Sequence, residues 1–310
     1  MANTLSSTYD GGALTVSDIK NDPTFLQTRI TEELDGAFVE NLLFRDGGQN
    51  ASGVVAFREA ASAVLADAPE DVAEFAEIPT SVLGLGALKS AHARKRALGV
   101  RISYEMLHEN KLDLLSQQVT ALNKTMVRDS VRTALAALNG AVAGNEQAAT
   151  GAWGGGSADI VKDVFDAIER VQGAHVDGNP NELYGYDPDT LLVHPAVLSK
   201  LMRNDKIMSA YVGDIAHENP VYKGLTTNTI FGLNVATSRF MPLTEAWVLE
   251  AGTVGFYSDT IPLTVTETYP ERGNSSLGGS TMAWRTDAVI KRAVAIDNPK
   301  AVAKITSIGS

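Results

Sequence analysis

Between Lys111 and Leu138 the apolar residues fall into the longest helical stripe in the chain, and that stripe limits the architectures open to it. Leu112, Leu115, Val119, Leu122 and Met126 recur at three- and four-residue spacing, and Val131, Leu135 and Leu138 continue the series after a small phase shift. Asn110 is the expected N-cap and Asn139-Gly140 the expected stop. At about 1.5 Å per residue such a helix is about 42 Å long, well beyond the ordinary three-turn helix. A strut of that length suits an elongated molecule better than a layer of a compact enzyme.

What precedes the strut does not look able to fold by itself. Residues 1–22 are polar, without a sustained period, and read as an arm that orders against something else. A short helix follows: Asp22-Pro23 supplies N-cap and N1, and Phe25, Leu26, Ile30 and Leu34 lie at helical spacing before Gly36. Strand-like pieces at 53–57 and 72–78, around the turn-forming residues 67–71, then predict a long two-stranded excursion with no apolar excess for a core. An isolated hairpin is marginal in water, so this one needs a surface to lie on, which another subunit could provide.

Charge is distributed in blocks along this excursion. Glu59, Asp67, Glu70, Asp71, Glu74 and Glu77 precede Lys89, His92, Arg94, Lys95, Arg96 and Arg101. Two solvated faces would account for the pattern, and so would charge matching between neighbouring copies. On the second reading Glu59, Glu70, Asp71, Glu74, Glu77, Arg94, Lys95 and Arg96 are the inter-subunit contact candidates.

After the strut the chain reads as α+β. Residues 140–157 form a glycine-rich loop without the Gly-Lys-Ser/Thr ending of a phosphate loop, and Ser157 is placed to cap a helix carrying Ile160, Val161, Val164, Phe165, Ile168 and Val171 up to Gly173. A buried strand at 190–193, a helix from Pro195 opened by His194, and a polar stretch to Gly232 come next. Strands are expected at 233–237, 246–249 and 261–268, then a flexible loop at 271–280. The longest strand, 281–296, puts Met282, Trp284, Ala288, Ile290, Val294 and Ile296 on one face and Arg285, Asp287 and Lys291 on the other.

Composition removes several functions. With 26 basic and 37 acidic residues the formal charge is −11, which disfavours nucleic-acid binding as the main task. The chain has no cysteine, so a thiol nucleophile, a disulfide scaffold, cysteine-ligated zinc and an iron–sulfur cluster are excluded. No signal peptide or 20-residue apolar run is evident, so a soluble cytosolic protein is expected. His92, His108, His175, His194 and His217 show no zinc-protease spacing, and His175-Val-Asp177 alone is a weak metal signal. No catalytic residue, cofactor site or metal site is expected, and a small-oligomer soluble hydrolase is the least favoured reading.

The order of these parts, and six stretches within them, resembles the major capsid proteins of tailed bacteriophages, the Hong Kong 97-type fold. Val-Ala-Glu-Phe-Ala-Glu-Ile-Pro at 72–79 is similar to the return strand of that family's extended loop, and Val-Arg-Ile-Ser-Tyr-Glu-Met-Leu at 100–107 to the approach to its spine helix. Residues 189–195, 232–237 and 246–257 resemble its axial strands, and 288–302 its closing strand and final turn. The resemblance implies an N-terminal arm at 1–47 and an extended β-hairpin loop at 48–92. It further implies a peripheral domain from 93–140 and 257–297, and an axial domain from 141–256 and 298–310. It implies self-assembly through hexamers and pentamers into an icosahedral virion shell around double-stranded DNA, without sequence-specific DNA binding and without a membrane. Assembly in the host cytoplasm, a separate scaffolding protein, a portal and decoration proteins belong to the same expectation. An encapsulin-type nanocompartment shell is the alternative within the fold.

Overall fold

A computed structural model of the chain describes residues 8–9, 12–13, 22–34, 36–61, 65, 67, 69–82, 84–109, 111–142, 144–155, 158–176, 179–204, 229–273 and 279–309. Most of residues 1–21, and the polar stretch at 205–228, lie outside these residues. Within the arm β1 (Thr8–Tyr9) pairs with β2 (Gly12–Ala13). Helix α1 (Pro23–Leu34) forms as its sequence requires: Asp22 Oδ1 accepts from the Thr24 amide at 3.1 Å, and Gly36 at φ +66° turns the chain away. A five-residue helix α2 (Val39–Leu43), too short to show a period, leads into β3 (Phe44–Gln49).

Strands β4 (Val54–Arg58) and β5 (Leu88–His92) make a short antiparallel stem, and β6 (Arg94–Ser103) continues from it. Residues 72–78, expected as the return strand, carry no strand; the return strand is β5. Ser103 caps the short α3 (Tyr104–His108), its hydroxyl accepting from the Met106 amide at 3.2 Å. The strut is α4 (Leu112–Ala141), 30 residues, with Lys111 at the N-cap position and no side-chain cap; Asn110 lies outside the described residues. The helix runs through Asn139-Gly140 instead of stopping there, because Leu138 and Val142 on either side are buried and hold the last turn in place.

Beyond the strut come β7 (Glu146–Ala148), α5 (Ile160–Gln172), β8 (His175–Val176), β9 (Asn179–Leu183) and β10 (Thr190–Val193). The cap of α5 is Asp159, accepting from the Lys162 amide at 3.3 Å, and not Ser157, which lies outside the described residues. His194 does open α6 (Pro195–Met202), its Nδ1 accepting from the Ala196 amide at 3.0 Å. Strands β11 (Thr229–Ile230), β12 (Leu233–Thr237) and β13 (Glu245–Leu249) follow. The expected strand at 261–268 is the far part of a 14-residue β14 (Gly252–Val265). Pro262 is tolerated there because the register with the next strand slips on both sides of Ile261. The chain closes with β15 (Tyr269–Pro270), β16 (Ala283–Ile296), a single 3-10 turn and β17 (Val302–Thr306). Of the expected loop at 271–280, residues 274–278 lie outside the described set.

Two sheets organise the molecule. In one, β16 is central, with β14 and β15 on one edge and β6 on the other, and β3 runs parallel to β14. In the other, six strands run in the order β11-β12-β10-β13-β17-β7. The second sheet is buried on both faces: Leu191, Val193, Ala246 and Val248 pack under α5, while Leu192, Trp247 and Leu249 face the end of α4. The phase shift in the α4 stripe has a physical cause. Leu115, Val119, Leu122 and Met126 pack against α1, β6 and β16, whereas Val131, Leu135 and Leu138 belong to a separate cluster with Trp247, Leu249 and Val302. One helix therefore serves as wall to two cores.

Charge is buried where these parts meet. Glu40 of α2 has no exposed surface, and Arg292 of β16 is 6% exposed. Arg292 bonds Asp259 with both Nε and Nη2, at 2.6 and 2.8 Å, while its Nη1 reaches Glu40 at 3.2 Å and Asn41 at 2.7 Å. Arg96 of β6 reaches Glu40 at 3.2 Å, Asp129 of α4 at 3.3 Å and Thr133 at 2.9 Å. Burial opposes the charge on Arg292, but the Asp259 hydrogen bond and the Glu40 and Asp259 charges outweigh it and hold the guanidinium firmly protonated. Removing one partner strands the others, which costs about 3–5 kcal/mol in such settings. Arg292→Met is expected to lower the unfolding free energy of the unassembled subunit by about that much in urea, and Arg292→Lys by less. A methionine variant as stable as its parent would contradict this account.

Candidate assembly surface

The extended loop is fixed at its base, where the Ala60 amide also donates to the Asp297 carbonyl at 2.9 Å, and its described residues from 67 to 85 are mostly exposed. At the base Gly53 takes φ +74°, the Ala93 amide donates to its carbonyl at 2.8 Å, and Asn50 Nδ2 donates to the Val54 carbonyl at 2.7 Å. Phe57 meets the edge of Phe256 at 5.8 Å, and Glu59 pairs with Lys89 across the stem. A Cβ at Gly86 would lie 2.1 Å from the Glu59 carbonyl oxygen, so only glycine permits that approach of the two arms.

Past the stem the side chains face solvent. Phe75 is 98% exposed and adopts φ +67°, and Ile78, Val82 and Leu85 are all more than two-thirds exposed. A folded monomer rarely displays that much apolar side chain on one segment, and such display marks an interaction surface. The sequence reading missed these residues. Their three- and four-residue spacing from Val72 to Leu85 imitates a helix that Pro79 interrupts, and alternation, the signal of a half-buried strand, is absent. Glu70, Asp71, Glu74 and Glu77 lie among them, exposed and without an ion pair among the described residues.

The remaining contact candidates divide. Arg94 and Lys95 are exposed at the start of β6. Arg96, the next side chain, points to the opposite face and is spent on Glu40 and Asp129, and Glu59 is spent on Lys89. Neither Arg96 nor Glu59 is therefore free for a neighbouring copy, and alternation along β6 is the reason for Arg96.

No arrangement of catalytic groups emerges among the described residues. Among the described residues no group of three or more His, Asp or Glu could hold a metal ion, and no helix is long and apolar enough to cross a membrane. His175 is exposed, with Nδ1 3.4 Å from the Gly173 carbonyl, and Asp177 lies outside the described residues. The glycine-rich loop wraps a buried carboxylate: Asp163 accepts from Trp153 Nε1 at 2.8 Å and from the Thr150 amide at 2.9 Å. An acidic group at that point repels phosphate. A groove of 750 Å³ between α5 and the last 3-10 turn is lined by Asp166, Glu169, Arg170 and Lys300, charges of both signs with no paired nucleophile and base.

A profile of the phage capsid protein family matches residues 88–305, from the return strand of the loop to the end of β17. No curated protein matches the chain in sequence. Among solved structures, the chain is similar to a protein of Microbacterium phage Oxtober96, with TM-score 0.59 and 15% identity over 85% of this chain and 89% of that one. It is similar to the capsid of cyanophage P-SCSP1u, with TM-score 0.56 and 11% identity over 86% of each chain. It also resembles the virus-like particle of Pyrococcus furiosus, with TM-score 0.50 and 10% identity over 90% of this chain and 97% of that one. These likenesses establish the α+β capsid fold, and the family match establishes kinship and a structural, non-enzymatic role in a virion shell: the chain belongs to the phage capsid protein family.

Proposed function

We propose that copies of this chain assemble through hexamers and pentamers into the icosahedral head shell of a tailed phage and enclose its double-stranded DNA. The observation that carries this reading is the loop past β4, whose apolar side chains have no core of their own and need the surface of another copy. A chain of net charge −11 suits a wall that encloses DNA without binding it in a sequence-specific way. We assign residues 1–47 to an arm, 48–92 to the extended loop, 93–140 with 257–297 to a peripheral domain, and 141–256 with 298–310 to an axial domain. Glu70, Asp71, Glu74 and Glu77 on the loop, with Arg94 and Lys95 on β6, are contact residues between copies. Assembly proceeds in the host cytoplasm on a separate scaffolding protein, and a portal and decoration proteins complete the head.

Expression of the chain, alone and with the scaffolding protein encoded beside it, is expected to give closed particles by negative-stain microscopy and light scattering. A monomer or dimer under all such conditions contradicts the proposal. Particles that carry a protein cargo in place of DNA would instead identify the nanocompartment alternative.

The shell is expected to lack covalent cross-links of the lysine-to-asparagine kind. That chemistry needs an uncharged amine on the loop, and no lysine occurs between Lys20 and Lys89. Lys89 itself is paired with Glu59 across the stem, which occupies its side chain at the base of the loop. Boiled, denatured particles should run as one band near 32.9 kDa. A ladder of covalent oligomers that Lys89→Arg abolishes would show that the amine escapes its partner.

A further inference from the structure

Every cation on the strut stands in one row. The basic residues of α4 are Lys124, Arg128 and Arg132, spaced four apart, and all three are exposed. Four helical residues rise about 6 Å, so the row is about 12 Å long. Each member has a like charge as its i+4 neighbour, an arrangement that weakens a helix unless an anion stands between. Among the described residues none of the three forms an ion pair or a hydrogen bond through its side chain. The helix has two carboxylates, and neither serves the row. Asp113 lies three turns before Lys124, and Asp129 is turned to the flank, where it pairs with Arg96 at 3.3 Å. Glu33 of α1 reaches the strut, but it is spent on Arg29 at 3.1 Å and on the Asn123 side-chain amide at 2.5 Å. In a chain of net charge −11, three adjoining cations left without an anion ask for one from outside.

The buried stripe of α4 lies against α1, β6 and β16. The row is therefore on the reverse side from the outer face of that sheet, where Lys95 opposes Lys291. Around the row the exposed side chains are Gln117, Ala121, Ala136 and Asn139, all small or amide-bearing. A protein partner docks on an apolar or aromatic centre, and these residues offer none. A phosphodiester backbone needs only cations at the pitch of its charges. One strand of a DNA duplex sets a phosphate about every 3.4 Å of axis, so the row spans about three to four of them. Arg128 and Arg132 offer planar forks that hold phosphate oxygens bidentately, and Lys124 adds a point charge.

We propose that the row Lys124, Arg128 and Arg132 on the exposed face of α4 is a contact site for the phosphate backbone of duplex DNA, and that this face of the subunit is turned to the lumen of the shell. The contact carries no sequence information, because phosphates are alike at every step. The acid excess of the rest of the chain keeps the grip of one copy weak, so the wall orders the outermost DNA without immobilising it. The inference rests on the shell reading above and adds to it the side of the wall that meets DNA and the residues that meet it.

The test has two arms. In the first, free subunits bind a short DNA duplex in salt from about 20 to 150 mM, and the slope of log K against log salt is read for the parent and for Lys124→Gln with Arg128→Gln and Arg132→Gln. The slope is expected to shrink by about 2–3 in the triple variant, one counterion for each lost contact, while removal of three exposed cations elsewhere (Lys162→Gln, Arg170→Gln and Arg239→Gln) leaves it unchanged. A triple variant that binds duplex like the parent overturns the site. The second arm uses the parent chain alone, so it does not depend on the variant folding. In filled heads the Lys124 amine should be acylated several-fold more slowly than in heads emptied of DNA, with Lys162 as the reference. Equal rates overturn the proposal. So does protection of Lys124 only in DNA-free particles that still hold a scaffolding protein, which assigns the row to an acidic protein. Intact empty shells that bind added duplex through the row overturn the lumenal placement. Absence of particles from the parent chain defeats the shell reading and the lumenal placement with it, and the salt slope of the free subunit then decides the phosphate site by itself.

Discussion

Glu40 is a carboxylate with no contact with water, and two arginines from adjoining strands converge on it. Through Arg292 it is tied to Asp259 on β14, and through Arg96 to Asp129 on α4. Five elements therefore share one electrostatic junction: α2, β6, β14, β16 and the strut. The Arg292 guanidinium also lies over the Tyr257 ring, 4.1 Å from its centre. Such a junction contributes little net stability compared with an apolar plug of equal size, but it punishes any misalignment of its members, because each displaced charge would be left unpaired in a dry site. It fixes which strand lies beside which, and so fixes the direction in which the hairpin stem leaves the sheet.

The strut serves the same end by packing. Its first half lies in the core with α1 and β16, and its second half in the core with Trp247 and Val302. Interiors are packed as densely as crystals, so a helix buried at both ends transmits displacement and does not absorb it. The loop stem is held to the frame as far as Ala60, whose amide donates to Asp297, and the mostly exposed described residues from 67 to 85 are the compliant part. The fold thus separates a stiff frame from an outlying contact segment, which suits a chain whose partners are other copies of itself.

Much of the frame was legible in the sequence. Period 3.6 gave the strut and α5, and period 2 gave β16, because in each the buried face repeats along one element, whereas β10 is buried on both faces and showed as a short continuous apolar run. The failures share a cause. Residues 72–78 are rich in apolar side chains, yet they pack on no partner among the described residues, so their helix-like spacing has no buried face behind it. Arg292 was hidden in plain view: it occupies an apolar-face position between Ile290 and Val294, and a charge in that register is the signature of a buried ion pair. Its partner Glu40 sits on a helix too short to have a period. The opposition of Lys95 to Lys291 depends on a strand register between segments nearly 200 residues apart, which no local pattern encodes.

The acids of the loop have a further consequence. Val72, Phe75 and Ile78 would make an adhesive segment on any free subunit, and Glu70, Asp71, Glu74 and Glu77 stand among them as gatekeepers that keep such segments from sticking to one another indiscriminately. The colloidal behaviour of the free subunit therefore depends on these four carboxylates, which stand between its exposed apolar side chains and those of its neighbours in solution.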